Sequence, residues 1–491
     1  MPTPLQLIDP SPFAFNRRAF LGRYAGAIGT LALSSLLEQD RARAWGGEAL
    51  SPPHTGLVPP RPEIAGAHLP KPRARSVICL FQHGGPSQMD LFDPKPALTK
   101  YHGQPYPGGK LEIHFDKQAG NVLASPFRFR AHGQSGMVLS ELVPHLSGIV
   151  DDLTLVRSMA TDSVDHETAL RLIHTGKILA GRPSWGSWVV YALGTENQNL
   201  PAYVVLSDPG GLPVDGIRNW SSGWLPAIYQ GTPFRSGEAP VLNLKTPRGV
   251  TPTARTGQLR FLDELNRLHL KRHAGEGELE ARIANFEIAA AMQTTVPEAL
   301  DLSRESPATR RMYGLDNPVT REYGTRCLLA RRLVERGVRF VQVFLNGQPW
   351  DTHSKNAETL KSLCARTDQP SAALVRDLKQ RGLLDETIVI WTGEFGRLPV
   401  SQGTDGRDHN RHGFSLWLAG GGFKPGYTHG ATDEFGYKAV ENVVTVYDLQ
   451  ATLLHALGLD HRKLTYPHEG RLDSLTDAEV TKAKVVPELL A

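Results

Sequence analysis

Of 491 residues only three are cysteine, too few for a disulfide framework. Cys79 falls in a predicted strand and Cys327 in a predicted helix, the usual setting of buried free thiols; Cys364 stays unassigned. Beyond the first 44 residues no stretch approaches about 18 uninterrupted apolar residues, so no membrane span is predicted there. A basic surplus is missing too. Lys and Arg number 54 against 50 Asp and Glu, a formal net charge of +4, which gives no electrostatic footprint for nucleic acid. There is no P-loop, and Gly420-Gly421-Gly422 and Gly108-Gly109 lack the strand-to-helix context of a phosphate or dinucleotide cradle. Gly85-Pro86-Ser87-Gln88 lacks the second glycine of a serine nucleophile elbow. These absences leave a globular chain whose chemistry must come from acids, histidines and arginines.

The amino terminus carries Asn16-Arg17-Arg18-Ala19-Phe20-Leu21, a twin-arginine pattern, then a mildly apolar run from Tyr24 to Leu37 and the small-x-small site Ala42-Arg43-Ala44. The run is short and rich in Gly, Ala and Ser, which argues against a membrane anchor. Residues 1–44 are therefore predicted to be a twin-arginine signal peptide, with a periplasmic or extracytoplasmic destination. Their removal takes away five Arg and three acids and leaves a net charge of +2. Residues 45–75 show no periodicity and hold seven prolines between Pro52 and Pro72, the composition of an extended arm.

Ser76–Gln82 is a continuous apolar run that suits a strand buried on both faces. Further strands are predicted at Leu153–Arg157, Ala202–Ser207, Val338–Leu345, Thr387–Thr392 and Phe414–Ala419. Helices are predicted at His166–His174, Trp185–Leu193, Arg321–Glu335, Ser371–Arg381 and Tyr447–Leu457, with two more near 259–273 and 278–293. Residues 209–320 read as an insertion, irregular at first and then helical, within an α/β domain spanning 76–475; 476–491 read as a tail. Apolar strands alternating with helices and no hairpin signals predict a doubly wound, mainly parallel sheet with helices on both faces.

In such a sheet ligands bind beyond the carboxyl ends of the strands. His83, Ser87, Asp90 and Asp93 follow the first strand, and Asp162, Asp165 and His166 follow the second. Asp351 and His353 follow Val338–Leu345. Glu394 follows Thr387–Thr392, and its loop also carries Arg397, Arg407, Asp408, His409 and His412. Singly, each has a plainer reading as a helix cap, a turn residue or a solvated side chain. Gathered at one edge, carboxylate oxygen and imidazole nitrogen suit zinc, magnesium, calcium or manganese.

Blocks in this order resemble the exported sulfatase-like proteins of domain of unknown function 1501. They are Gly84-Gly85-Pro86-Ser87-Gln88-Met89-Asp90-Leu91-Phe92-Asp93-Pro94-Lys95, Trp350-Asp351-Thr352-His353, Thr392-Gly393-Glu394-Phe395-Gly396-Arg397, Gly406-Arg407-Asp408-His409, His429–Gly436 and Tyr447–Thr452. The resemblance spans about Val77 to Arg471. It implies an alkaline phosphatase-like α/β/α fold and metal-assisted hydrolysis of sulfate or phosphate esters, of small-molecule or glycan type, by water that the metal activates. Asp351, His353 and His409 look like one ligand set; Asp90 and Glu394 are candidates for a second. His166 stands about where the nucleophile belongs, beside Asp165, and no Cys-x-Pro-x-Arg supports formylglycine chemistry. Arg397 and Arg407, with Ser87 and His412, are candidates to hold the oxyanion. The missing nucleophile keeps an alternative open: a non-catalytic relative that binds an anionic glycan or a partner protein.

Overall fold

The computed structural model describes residues 66–115, 118–197, 199–235, 249–273 and 277–491. Strand β1 (Ser76–Phe81) is buried at every position, as an apolar run covered on both faces requires. The main sheet adds β2 (Leu153–Ala160), β3 (Tyr203–Leu206), β4 (Thr232–Phe234), β5 (Phe340–Val343), β6 (Thr387–Thr392), β7 (Phe414–Ala419), β8 (Tyr427–His429) and β9 (Val444–Thr445). Its order is β8-β2-β7-β6-β1-β5-β3-β4, with β9 also pairing β2.

Alternate strand residues feed two cores, because successive side chains leave a strand on opposite faces. Ile78, Leu80, Val204, Val341 and Val389 pack with helices α5 (Arg321–Glu335) and α6 (Asn356–Gln380). Val77, Cys79, Phe81, Val205 and Ile390 pack with α1 (His166–Thr175), α2 (Trp185–Leu193) and α7 (Val446–Ala456). The result is a doubly wound α/β fold with helices on both faces. All three cysteines are buried and free.

Three details depart from the expectation. Strand β7 runs antiparallel to both β6 and β2, so the chain leaves β6, crosses the sheet edge and returns into β7 from that same edge. Helix α6 begins at Asn356 and runs through Pro370, where the sequence suggested a start after the proline. The Thr367 and Ser371 hydroxyls fold back onto the carbonyls of Leu363 and Thr367 beside the turn that lacks an N–H. The irregular stretch after residue 209 supplies the edge strand β4, parallel to β3.

Helices α3 (Pro252–Arg272) and α4 (Gly277–Leu300) occupy the expected insertion, and Met292, Val296 and Ala299 of α4 belong to the α5–α6 core. Residues 476–491 are packed down, with Val486 and Leu489 in the other core. Among the described residues, 66–235 and 266–491 belong to one compact unit, which holds the site, and 249–265 do not. The predicted signal peptide, and the arm up to residue 65, lie outside the described residues. From Gly66 the arm is tied down: Leu69 N donates to Gly458 O and Arg73 N to Ala456 O. Among the described residues no helix is long and apolar enough to cross a membrane.

Candidate metal centre

Four loops meet at the carboxyl edge of the parallel strands. His166 opens α1, with Asp165 as its cap accepting from Thr168 N at 3.1 Å. Asp351 and His353 follow β5, and Glu394 follows β6. His409 precedes β7, and the antiparallel return is what brings it to this edge. A two-residue ladder pairs Arg397 with His409 and holds the returning loop. Gly84, in the loop after β1, lets that loop approach the one after β5: a Cβ there would sit 2.3 Å from Asp351 N, and its φ of +110° suits glycine alone.

His166, Asp351, His353 and His409 each turn one donor atom inward, all within 4.8 Å of one another. Asp351 Oδ1 is the focus. It lies 2.9 Å from His353 Nε2, 3.2 Å from His409 Nε2 and 3.3 Å from His166 Nε2. The opposite ring nitrogens are all engaged. His166 Nδ1 donates to Glu394 Oε1 at 2.6 Å, His409 Nδ1 to Val164 O at 2.8 Å, and His353 Nδ1 to Gln402 Oε1. A proton fixed on each Nδ1 leaves each Nε2 as a lone pair, the tautomer a metal-bound imidazole needs. The Nε2 atoms of His353 and His409 face each other at 3.0 Å. Two lone pairs do not approach so closely without a proton or a cation between them. Nitrogen and oxygen donors at these separations fit a divalent ion of the zinc type.

Protonation follows the same geometry. Burial disfavours the Asp351 carboxylate, but bonds from His166, His353 and His409 and the charge of Arg397 outweigh it and hold the group well below the carboxylate range. Burial also lowers His166, yet Asp351 and Glu394 raise it to about 9, which puts a second proton on its Nε2, the proton a metal ion would displace. His409 is pushed down to about 4, by burial first and by Arg397 and His166 as neighbouring cations. A proton held on His166 thus denies one to His409.

The other sequence candidates fall outside this cluster. Glu394 is fully buried and acts through His166, its Oε1 also accepting from Gly84 N at 2.9 Å. Asp90 lies apart, against the expectation of a second ligand set. It pairs with Arg407 at 2.8 Å and accepts from Ser87 Oγ at 2.6 Å and Asn356 Nδ2 at 2.9 Å. Ser87, Asp90 and Arg407 therefore satisfy one another. Arg397 donates to Gly85 O and Arg407 O at 2.9 Å, to Gly84 O, and to Asp351 Oδ1 at 2.6 Å. Both arginines are fully buried and spent, so neither offers a free fork to an oxyanion. His412 bonds Glu112 at 2.7 Å. Asp165 is a helix cap.

Four neighbours escaped the sequence reading. Gln402 orients His353, Gln348 Nε2 donates to Asp351 Oδ2 at 2.9 Å, and His114 and Phe115 lie against His409 and His353. Glutamine is not a ligand type, and residues 111–115 belong to no predicted element, so neither periodicity nor motif marks them.

Among solved structures the chain is similar to a phosphonate monoester hydrolase from Silicibacter pomeroyi, at 10% identity and a TM-score of 0.31, covering 84% of this chain and 77% of that one. The PsFucS1 sulfatase from Pseudoalteromonas sp. gives 11%, 0.31, 79% and 68%. A lipoteichoic acid synthase from Listeria monocytogenes gives 8%, 0.31, 81% and 77%. No curated protein matches the sequence. Residues 74–490 match the family described as "Protein of unknown function (DUF1501)", and the chain belongs to that family.

Proposed function

We propose that this protein is a metal-dependent hydrolase of sulfate or phosphate esters, of small-molecule or glycan type. One observation carries the reading: three imidazoles with Nδ1 engaged present Nε2 to a single carboxylate oxygen of Asp351. A divalent ion held by His166, Asp351, His353 and His409 would supply Lewis acidity, able to polarise an ester and acidify water. Glu394 keeps the proton on His166 Nδ1 and so fixes that ring's tautomer and direction. Arg397 adds its charge to the histidine bonds that keep Asp351 ionised. His353, the most exposed of the four, opens the cluster to solvent. With both buried arginines committed, an oxyanion's charge falls to the cluster itself.

The test is hydrolysis of aryl sulfates and aryl phosphates by protein loaded with zinc, manganese, magnesium or calcium. Turnover that disappears in His353→Ala supports the reading, and no turnover with any ion overturns it. The committed arginines and the absent nucleophile favour a second reading, a non-catalytic protein that binds an anionic glycan or a partner. It predicts ligand binding, weakened in His353→Ala, without turnover. Export through the twin-arginine pathway belongs to the same proposal, on the strength of Arg17, Arg18 and Ala42-Arg43-Ala44. Replacing both arginines by Lys is expected to leave the uncleaved chain in the cytoplasm, and normal export of that variant would contradict it.

A further inference from the structure

Three of the four donor residues are nearly closed off. Side-chain exposure is 4% for His409, 10% for His166 and 12% for Asp351, against 28% for His353. Solvent therefore reaches the cluster on the His353 side, and there the stretch Glu112–Phe115 crosses the segment that carries His409. It is fastened to that segment. His114 N and Phe115 N donate to Asp408 Oδ2 at 2.9 and 2.8 Å, and the Glu112 carboxylate takes Arg411 Nε at 3.0 Å and His412 Nε2 at 2.7 Å. The other Asp408 oxygen accepts from His409 N at 2.8 Å. One aspartate thus seats both the crossing strap and a candidate ligand.

Seated this way, the strap stacks His114 on the His409 ring, with centroids 5.1 Å apart and planes at 21°. Phe115 stands edge-on to His353 at 5.1 Å and 88°. Phe115 remains 39% exposed. It contributes to none of the three buried cores, yet its backbone is pinned. An apolar ring held open beside a polar donor set is a contact surface, and the strap's one acid is already paired with Arg411 and hydrogen-bonded to His412. What fits beside it is a ring with an apolar face, as an aryl group or the C–H face of a sugar presents.

We infer that Phe115, backed by His114, forms the wall of a subsite for a ring-bearing leaving group whose ester end faces His166, Asp351, His353 and His409. The inference rests on the hydrolase reading, and its test uses binding so that the two can fail separately. Cobalt-loaded protein is titrated with two pairs of probes, phenylphosphonate against methylphosphonate and glucose 1-phosphate against methyl phosphate, read by the visible cobalt spectrum.

In at least one pair the ring-bearing member is expected to bind about three- to tenfold tighter, an advantage that falls to under about twofold in Phe115→Ala and survives in Phe115→Tyr. The pair that shows the advantage distinguishes an aryl from a sugar ring. Equal affinities within both pairs, or an advantage that persists in Phe115→Ala, would overturn the subsite while the cobalt spectrum leaves the metal centre standing. A protein that gives no cobalt spectrum fails at the metal centre, and the subsite falls with it.

Discussion

Two groups of charged side chains sit at the same edge of the sheet, each centred on one aspartate beside a buried arginine, yet they do opposite things with their charge. In the Asp90–Arg407 group, one guanidinium meets one carboxylate, Ser87 and Asn356 complete the acid, and Leu398 O and Leu123 O complete the base. Nothing is left over. In the Asp351 group, three histidines gather round one acid, and their Nε2 atoms crowd onto a single oxygen of it. The first arrangement has closed its hydrogen bonds inside the protein; the second gathers donor atoms that could hold a metal ion. What separates a structural ion pair from a candidate metal centre is the balance of donors to acceptors, and residue type and sheet position do not reveal it.

The comparison is broken most forcefully at the closed pair. Asp90→Ala leaves Arg407 buried without its carboxylate and is expected to cost about 3–5 kcal/mol of stability in urea unfolding of the metal-free protein. The cobalt spectrum of the molecules that remain folded should be unchanged. A variant as stable as the wild type, or one that has lost only its cobalt spectrum, would place Asp90 among the ligands instead.

The same pair has a pH signature. Burial pushes the Asp90 carboxyl up, but Arg407, Ser87 and Ser125 outweigh it and hold the group below its ordinary value. A carboxyl depressed in the folded state contributes stability above its unfolded value of about 4 and loses it as pH falls. The stability gap between the wild type and Asp90→Asn should therefore narrow as pH drops below about 4. A gap that widens toward acid contradicts the pairing.

At the open cluster the sharper probe is Glu394→Gln, which keeps the shape and removes the charge behind His166. Metal affinity, measured by competition with a chelator, should fall about 10–100-fold. An unchanged affinity would detach Glu394 from the centre. The smallest effect belongs to Arg411→Ala. Its pair with Glu112 is 33% and 43% exposed, so the loss should stay below about 1 kcal/mol by thermal or urea unfolding. A loss of several kcal/mol would show that the strap over His409 bears on the whole fold.

Much of the frame was legible because buried parallel strands announce themselves as short apolar runs. Ser76–Phe81, Thr387–Thr392 and Phe414–Ala419 emerge within a residue or so of their predicted bounds. The direction of β7 was not legible, since an apolar strand reads the same both ways. That direction is why His409 reaches the site although it precedes its strand. Asp351, His353, His409 and His166 were marked by type and placement, and their side chains meet. The same reasoning marked Asp90, Arg397 and Arg407, whose partners lie some three hundred residues away or on backbone carbonyls that carry no sequence signal. Gln402 and Phe115 act through contacts alone, so no pattern of types singles them out.

The central claim is that His166, Asp351, His353 and His409 hold one divalent ion. The most direct measurement is metal analysis of the purified protein, paired with cobalt titration of the wild type and of a His353→Ala, His409→Ala double variant. A single tightly held ion per chain and a four-coordinate nitrogen and oxygen cobalt spectrum, both lost in a double variant that still folds, is the predicted result. Wild-type protein that takes up no ion, or a double variant that holds it equally well, would contradict the account.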